Sequence, residues 1–272
     1  MKKHDSLTSI GIVIGIVLIV WGMSAGGTNL MVFYDFASVL ITIGGSFAAL
    51  LIAYPISAMK KVITVIVQSF KESTMSSTEI INSFTNLSKK ARREGLLSLE
   101  DEMTQLTNEF FKKGLQMVVD GLEPETIKEI MELEIGEMER RHTDGANMLK
   151  AWAAYAPAFG MIGTLIGLIQ MLANLSDSSA LASGMGKALI TTFYGALLAN
   201  LILIPMAQNL NYKSSIEVNN REMMLEGILS IQSGVNPRIV EEKLTSYLSP
   251  YDRAKFIKDQ DKDKEAGVKD NV

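Results

Sequence analysis

Charge is absent from four long stretches of the chain and dense between them. Leu7 to Ser24, Phe36 to Met59, Ala151 to Leu175 and Ala188 to Asn211 are predominantly apolar and hold no Asp, Glu, Lys or Arg. Each is about 20 residues long, the length a helix needs to cross the hydrocarbon of a bilayer. Backbone groups in lipid must bond within their own segment, and the period-two alternation of a membrane barrel is missing, so the four read as helices. The pattern predicts an all-α integral membrane protein with four spans in two hairpins and a large helical insert between spans two and three. "AGGTNLMVFYD" and "SDSSALASGMGK" are the two short loops.

Basic residues flank the spans on one side only. Lys2 and Lys3 precede span one, Lys60 and Lys61 follow span two, Lys150 abuts span three and Lys213 follows span four. Short loops poor in Lys and Arg face outward, which puts both termini and the insert in the cytoplasm. The expected layout is hairpin one over 1–59, a cytoplasmic helical domain over 60–150 and hairpin two over 151–212. A cytoplasmic helical extension over 213–250 and a disordered charged tail over 251–272 complete it.

Within the insert, Ile80, Ile81, Phe84, Leu87 and Ala91 recur at helical spacing, and Gly95 interrupts that helix. A second helix starts with Pro124 in its first turn, followed by acids that suit a helix start. Its stripe is Ile127, Ile130, Met131, Ile135 and Met138, and it continues into span three. The stretch 213–233 extends span four. The final residues are charged and poor in apolar side chains, which predicts disorder.

Span three contains "APAFGMIGTLIGLIQML", with a proline, three glycines and a threonine inside an apolar run. On a helix, Pro157, Met161, Thr164, Leu168 and Met171 share one face. Ala156, Gly160, Gly163 and Gly167 form an adjacent face of small residues, the kind that lets membrane helices approach closely. Thr192, Gly195 and Ala199 repeat the pattern in span four, so the two spans are expected to be packing partners that each present a hydroxyl. Two readings of Thr164 and Thr192 follow. Either each returns its hydroxyl to a carbonyl one turn back, or the pair lines an ion route where hydroxyl and carbonyl oxygens transiently meet a hard cation such as Na+.

Composition narrows the classes. There are no cysteines, which excludes disulfides and thiolate sites. A net charge of −4 without a basic stripe gives no nucleic-acid surface. His4 and His142 are the only histidines and belong to no metal-ligand cluster, so neither an enzyme nor a resident metal or cofactor is expected. A cleaved signal peptide is the competing reading of the first 27 residues, set aside because three further spans follow. The charge-free runs have no Asp, Glu, Lys, Arg or His in their interiors, although ion relays in membranes depend on such groups. An ion path here would take its carboxylate from another polypeptide.

The blocks "LSKKARREGLLSLE", "FFKKGLQMVVDGLEPETIKEIMELEIGEMERRH", "YAPAFGMIGTLIGLIQML", "LITTFYGALLANLILIPMA" and "MMLEGILSIQSGVNPRIVEEKL" resemble, in order, the flagellar motor stator family called MotA, PomA or MotP. The resemblance covers roughly residues 1–248. It implies a homopentamer in the bacterial cytoplasmic (inner) membrane, around the single spans of two copies of a different stator protein that supply a membrane aspartate. Ion flow would drive rotation against the rotor's switch-complex protein. The family's rotor-contacting arginine falls on Arg92 and its acidic companion on Glu100, with Arg93 and Glu94 as neighbours sharing the charge role; the other reading is a solvated helix face. Its two prolines match Pro157 and Pro205, the first beside the partner's aspartate and the second helix-shaping or a simple kink. "GMIGTL" and "TTFYG" resemble sodium-driven members, which favours Na+ over H+ along Thr164, Thr191 and Thr192. Two rival readings are an energiser of outer-membrane processes resembling ExbB and TolQ, which has three spans, and a passive membrane scaffold.

Overall fold

The computed structural model describes residues 6–27, 29–69, 76–104, 106–173 and 175–269, and the described residues are built of helices and their connections. The basic start, Lys2 and Lys3, and His4 lie outside them. The chain divides into two compact units, one of Met1–Glu72 with Arg141–Ser214 and one of Ser73–Arg140 with Ser215–Val272.

The first unit holds the apolar spans. Span one is the helix Ser6–Ala25. Span two is continuous from Phe36 to Ala53, with a π-helical turn at Leu40–Gly44. Asp35 caps it, accepting from the Ser38 amide at 2.7 Å and the Ser38 hydroxyl at 2.6 Å. It stops at Tyr54, whose extended backbone is what a residue before proline prefers, and a new helix, Ile56–Ser69, starts after Pro55. The span therefore ends several residues before the expected Met59.

Span three lies in one helix, Pro124–Leu172, that begins at the expected proline and runs through to the membrane segment. Span four starts earlier than its apolar run. The helix begins at Ser178, so most of the expected loop 176–187 is helical and Lys187 sits inside the helix. The cause is Asp177, whose carboxylate accepts from the amides of Ser179 and Ala180. The Ser179 hydroxyl also donates to it at 2.7 Å, and these bonds hold its pKa below the usual carboxylate value. From Ser178 the helix continues through a π turn at Leu198–Leu203 and ends at Gln232, as expected for the extension of span four.

Spans three and four touch backbone to backbone. A methyl group on Gly195 would sit 2.6 Å from the Ala156 carbonyl oxygen and 3.1 Å from Pro157 Cα. On Gly167 it would sit 2.6 Å from the Gly184 carbonyl oxygen, and on Gly160 3.0 Å from that of Thr191. Gly163 takes the Thr191 side chain in the same way. The small face read from the sequence in span three is thus the contact seam, and Gly195 and Ala199 join it from span four. Thr192, expected beside them, is exposed, and Thr191 takes the seam position. Span two joins it through Ser38, Thr42 and Ser46, all buried and spaced one turn apart. Thr42 donates to the Thr191 carbonyl at 3.3 Å, and Ser46 accepts from Trp152 Nε1 at 3.1 Å.

In the second unit the predicted stripes form one core. Ile80, Ile81, Phe84, Leu87, Ile127, Met131 and Ile135 are buried together with Phe111, Leu115 and Ile228. Phe84 stacks on Phe111 at 4.3 Å, and Gly227 leaves room for the Phe84 ring. The expected disorder of the tail 251–272 is corrected over 251–269, because Pro250–Lys269 is helical, and 270–272 lie outside the described residues. Ser249 starts this helix by accepting from the Asp252 amide at 3.2 Å. Phe256 then seats in the core at 5 % exposure. One aromatic burial, worth about 1.5–3 kcal/mol, holds a helix whose composition alone reads as unstructured.

Gly195→Ala should push the two spans apart and lower the thermal stability of the purified protein by about 1–3 kcal/mol. Gly186→Ala, where nothing lies within 4 Å, should leave it unchanged or raise it slightly. Equal unfolding temperatures for the two variants would contradict the seam.

Candidate functional site

Because the seam brings the two backbones together, side chains on its rim meet across it. Thr164 Oγ1 lies 2.5 Å from Thr192 Oγ1 and 3.0 Å from the Ala188 carbonyl oxygen, and 3.1 Å from the Gly160 carbonyl oxygen one turn back on its own helix. Thr192 Oγ1 is 3.2 Å from the same Ala188 oxygen. A hydroxyl donates one proton, so these distances describe a small network in which both threonines keep lone pairs for a further partner. Thr192 is exposed, Thr164 half-buried, and Met161 beside them is 60 % exposed. Pro157 stands half-buried two turns before Thr164 on the same helix, pressed by Gly195. Each hydroxyl lies within reach of a carbonyl one turn back, as the first reading expects, and the pair also meets across the two helices.

Thr191 departs from its expected place. It is 1 % exposed, and its hydroxyl is within 3.1 Å of the Lys187 carbonyl and 3.0 Å of the Ala188 carbonyl. It fills the space over Gly163 and does not share the exposed face with Thr192. Adjacent residues on a helix point about 100° apart, so only one of the pair can face outward. Thr191 is a packing residue that carries the contact with span two.

Pro205 follows the π turn of span four. Proline cannot donate to the carbonyl four residues back and its ring collides with it. The wider turn relieves this, and the Ile204 amide donates to the Ala199 carbonyl five residues back. Pro205 is exposed and shapes the helix from outside the hydroxyl site.

In the second unit Arg92, Arg93, Glu94 and Glu100 are all exposed. Arg93 lies 3.7 Å from Glu94, both largely in solvent. Gly95 separates the two halves of this patch, with φ +88° and ψ 166°, a backbone region open essentially to glycine alone. Behind the patch Lys90 donates to Glu102 at 2.7 Å, a bond that raises the Lys90 pKa and ties the helix Ser77–Glu94 to Leu99–Met103. No group of three or more His, Asp or Glu side chains converges among the described residues.

Two family models match the chain: "Motility protein A N-terminal" over residues 9–95 and "MotA/TolQ/ExbB proton channel family" over residues 102–223. Motility protein A of Borreliella burgdorferi is 46 % identical over 92 % of this chain and 96 % of its own length. That of Treponema pallidum is 43 % identical over 90 % and 95 %. The chain belongs to the motility protein A family. A solved relative, the flagellar MotAB stator complex from Bacillus subtilis, superposes with a TM-score of 0.88 at 37 % identity, covering 93 % of this chain and 99 % of that one. Motility protein A belongs to an ion-channel family and is not an enzyme, and its apolar helices fit the inner membrane. The motility protein A N-terminal model over 9–95 covers most of the first two of the four candidate spans.

One polar residue of the membrane face was not among those expected. Asn200 is exposed on span four, eight residues beyond Thr192. Its signal in the sequence is an amide inside a charge-free run, which attention to ionisable groups alone passes over.

Proposed function

We propose that this motility protein A, a membrane component of the flagellar stator, forms the wall of an ion route whose titratable group comes from a partner chain. The observation that carries this reading is the Thr164–Thr192 hydroxyl pair, held against the Ala188 carbonyl on an accessible face within the charge-free stretches 151–175 and 188–211. Three oxygens in one place are too few to strip a cation of its water. A carboxylate from a facing span, with residual water, would complete the shell. On this reading that carboxylate is an aspartate of the partner stator protein, two copies of which would sit inside a homopentamer of this chain. Both termini and the second unit lie in the cytoplasm on this reading, as the flanking lysines require.

Sodium is the favoured ion, with the proton as the alternative. Neutral hydroxyl and carbonyl oxygens suit a hard cation, whereas they offer no group that titrates near neutral pH. One monovalent ion crossing 100 mV releases about 2.3 kcal/mol, so rotation draws on many ions per turn. The exposed charges at Arg92, Arg93, Glu94 and Glu100 are read as the surface that meets the rotor's switch-complex protein. Exposed pairs of this kind are worth ~0–1 kcal/mol each, which suits a contact that must release repeatedly.

Swimming speed of cells relying on this stator should rise and saturate with external sodium at fixed pH and membrane potential. Thr164→Ala should raise the sodium needed for half-maximal speed by about threefold or more, the loss of one ligand. Speed that ignores sodium and follows the proton-motive force would make this a proton stator and return Thr164 to packing.

Arg92→Glu should slow or stop swimming while leaving the amount of protein in the membrane unchanged. Normal motility in that variant would remove Arg92 from the rotor surface.

A further inference from the structure

The burial pattern of span four marks a second polar position on the same route. Thr191, Gly195, Ala199 and Leu203 are buried, while Thr192, Ala196 and Asn200, each one residue beyond a buried one, are exposed. The exposed seam therefore runs alongside the contact seam from Thr192 to Asn200. In a straight α-helix eight residues overshoot a face by about 80°. The π turn that starts at Leu198 rotates each residue by less and brings Asn200 back toward Thr192. Ala196 between them is small and leaves the groove open.

The orientation of the amide is fixed by chemistry. Asn200 Nδ2 donates to the Ala196 carbonyl at 2.9 Å. The flipped amide would set oxygen against oxygen, so Oδ1 is the atom turned away from the helix. An outward amide oxygen within a charge-free membrane segment is costly against lipid tails, and such side chains face a polar partner or a wet cavity.

We propose that Asn200 is a second ligand of the ion route, its Oδ1 receiving the cation about 12 Å along span four after it leaves the hydroxyl pair. This rests on the reading of Thr164 and Thr192 as the first oxygens of that route. An amide oxygen attracts a cation by its dipole and carries no charge that would hold it fast. That suits a way station between the threonines and the cytoplasmic end at Pro205. A ligand beyond the first site acts on passage rather than on capture from outside.

The test compares single-motor speed at low load across external sodium for Asn200→Leu, Asn200→Gln and Thr164→Ala, all co-expressed with the partner stator protein. Membrane level and co-purification with that partner are measured for each. Asn200→Leu should lower maximal speed by about three- to tenfold and leave half-saturating sodium within about twofold of the parent. Asn200→Gln, which keeps an amide oxygen, should recover most of the speed, while Thr164→Ala shifts half-saturation. Parental speed in Asn200→Leu beside an impaired Thr164→Ala would overturn the role of Asn200 and leave the hydroxyl pair standing. Parental behaviour in both would remove the route itself. Loss of assembly in Asn200→Leu that Asn200→Gln does not repair would make Asn200 an interface residue and likewise overturn the proposal.

Discussion

Contact between the bare backbones of spans three and four governs the membrane unit. Gly160, Gly163, Gly167, Gly184 and Gly195 each stand where a side chain would strike the opposite helix. Lipid gives helices no hydrophobic reason to associate, so close packing and hydrogen bonds across the seam must supply the attraction. The approach is close enough for Thr164 to reach the Ala188 carbonyl on the neighbouring helix. Without the glycines the hydroxyls of Thr164 and Thr192 would be separate residues on separate helices.

On the proposed function, that arrangement would let an ion route run along stretches that hold no Asp, Glu, Lys, Arg or His. The proposed wall would offer oxygens in fixed positions and leave the proton-titrating or charge-bearing step to another chain. The same economy shows in the two π turns, at Leu40–Gly44 and Leu198–Leu203. Each sits next to a contact on the seam: Thr42 on the Thr191 carbonyl, and Ala199 and Leu203 in the buried row of span four. In the second unit the apolar core is conventional, and its exposed charges carry little binding energy singly. On the proposed rotor-facing role, a surface of weak pairs, with Lys90 bonded to Glu102, would favour repeated contact over tight capture.

Much of this was legible in the sequence because membrane spans and amphipathic stripes are written in composition and period. The four spans, the Ala156–Gly160–Gly163–Gly167 face, the helix start at Pro124 and the break at Gly95 follow from local rules that tertiary structure had no reason to override. Three features depended on contacts that the sequence does not display. Span four begins at Ser178 because Asp177 caps it, in a stretch whose serines and glycines read as loop. The helix Pro250–Lys269 exists because one side chain, Phe256, finds the core. Thr191 and Thr192 are indistinguishable by type, and it is the packing of Thr191 against Gly160, Gly163 and Thr42 that accompanies its burial.

The central claim is that the Thr164–Thr192 face meets the span of a partner chain. The absence of cysteine makes this directly measurable, since a single introduced thiol has no competitor in this chain. Disulfide cross-linking in native membranes would compare Thr164→Cys with Ile169→Cys, an exposed position turned well away on the same helix, each against cysteines placed along the span of the partner stator protein. The account predicts cross-links from position 164 to the residues around the partner's aspartate and none from 169. Cross-linking at 169 with none at 164 would place the partner on another face and contradict the proposed route.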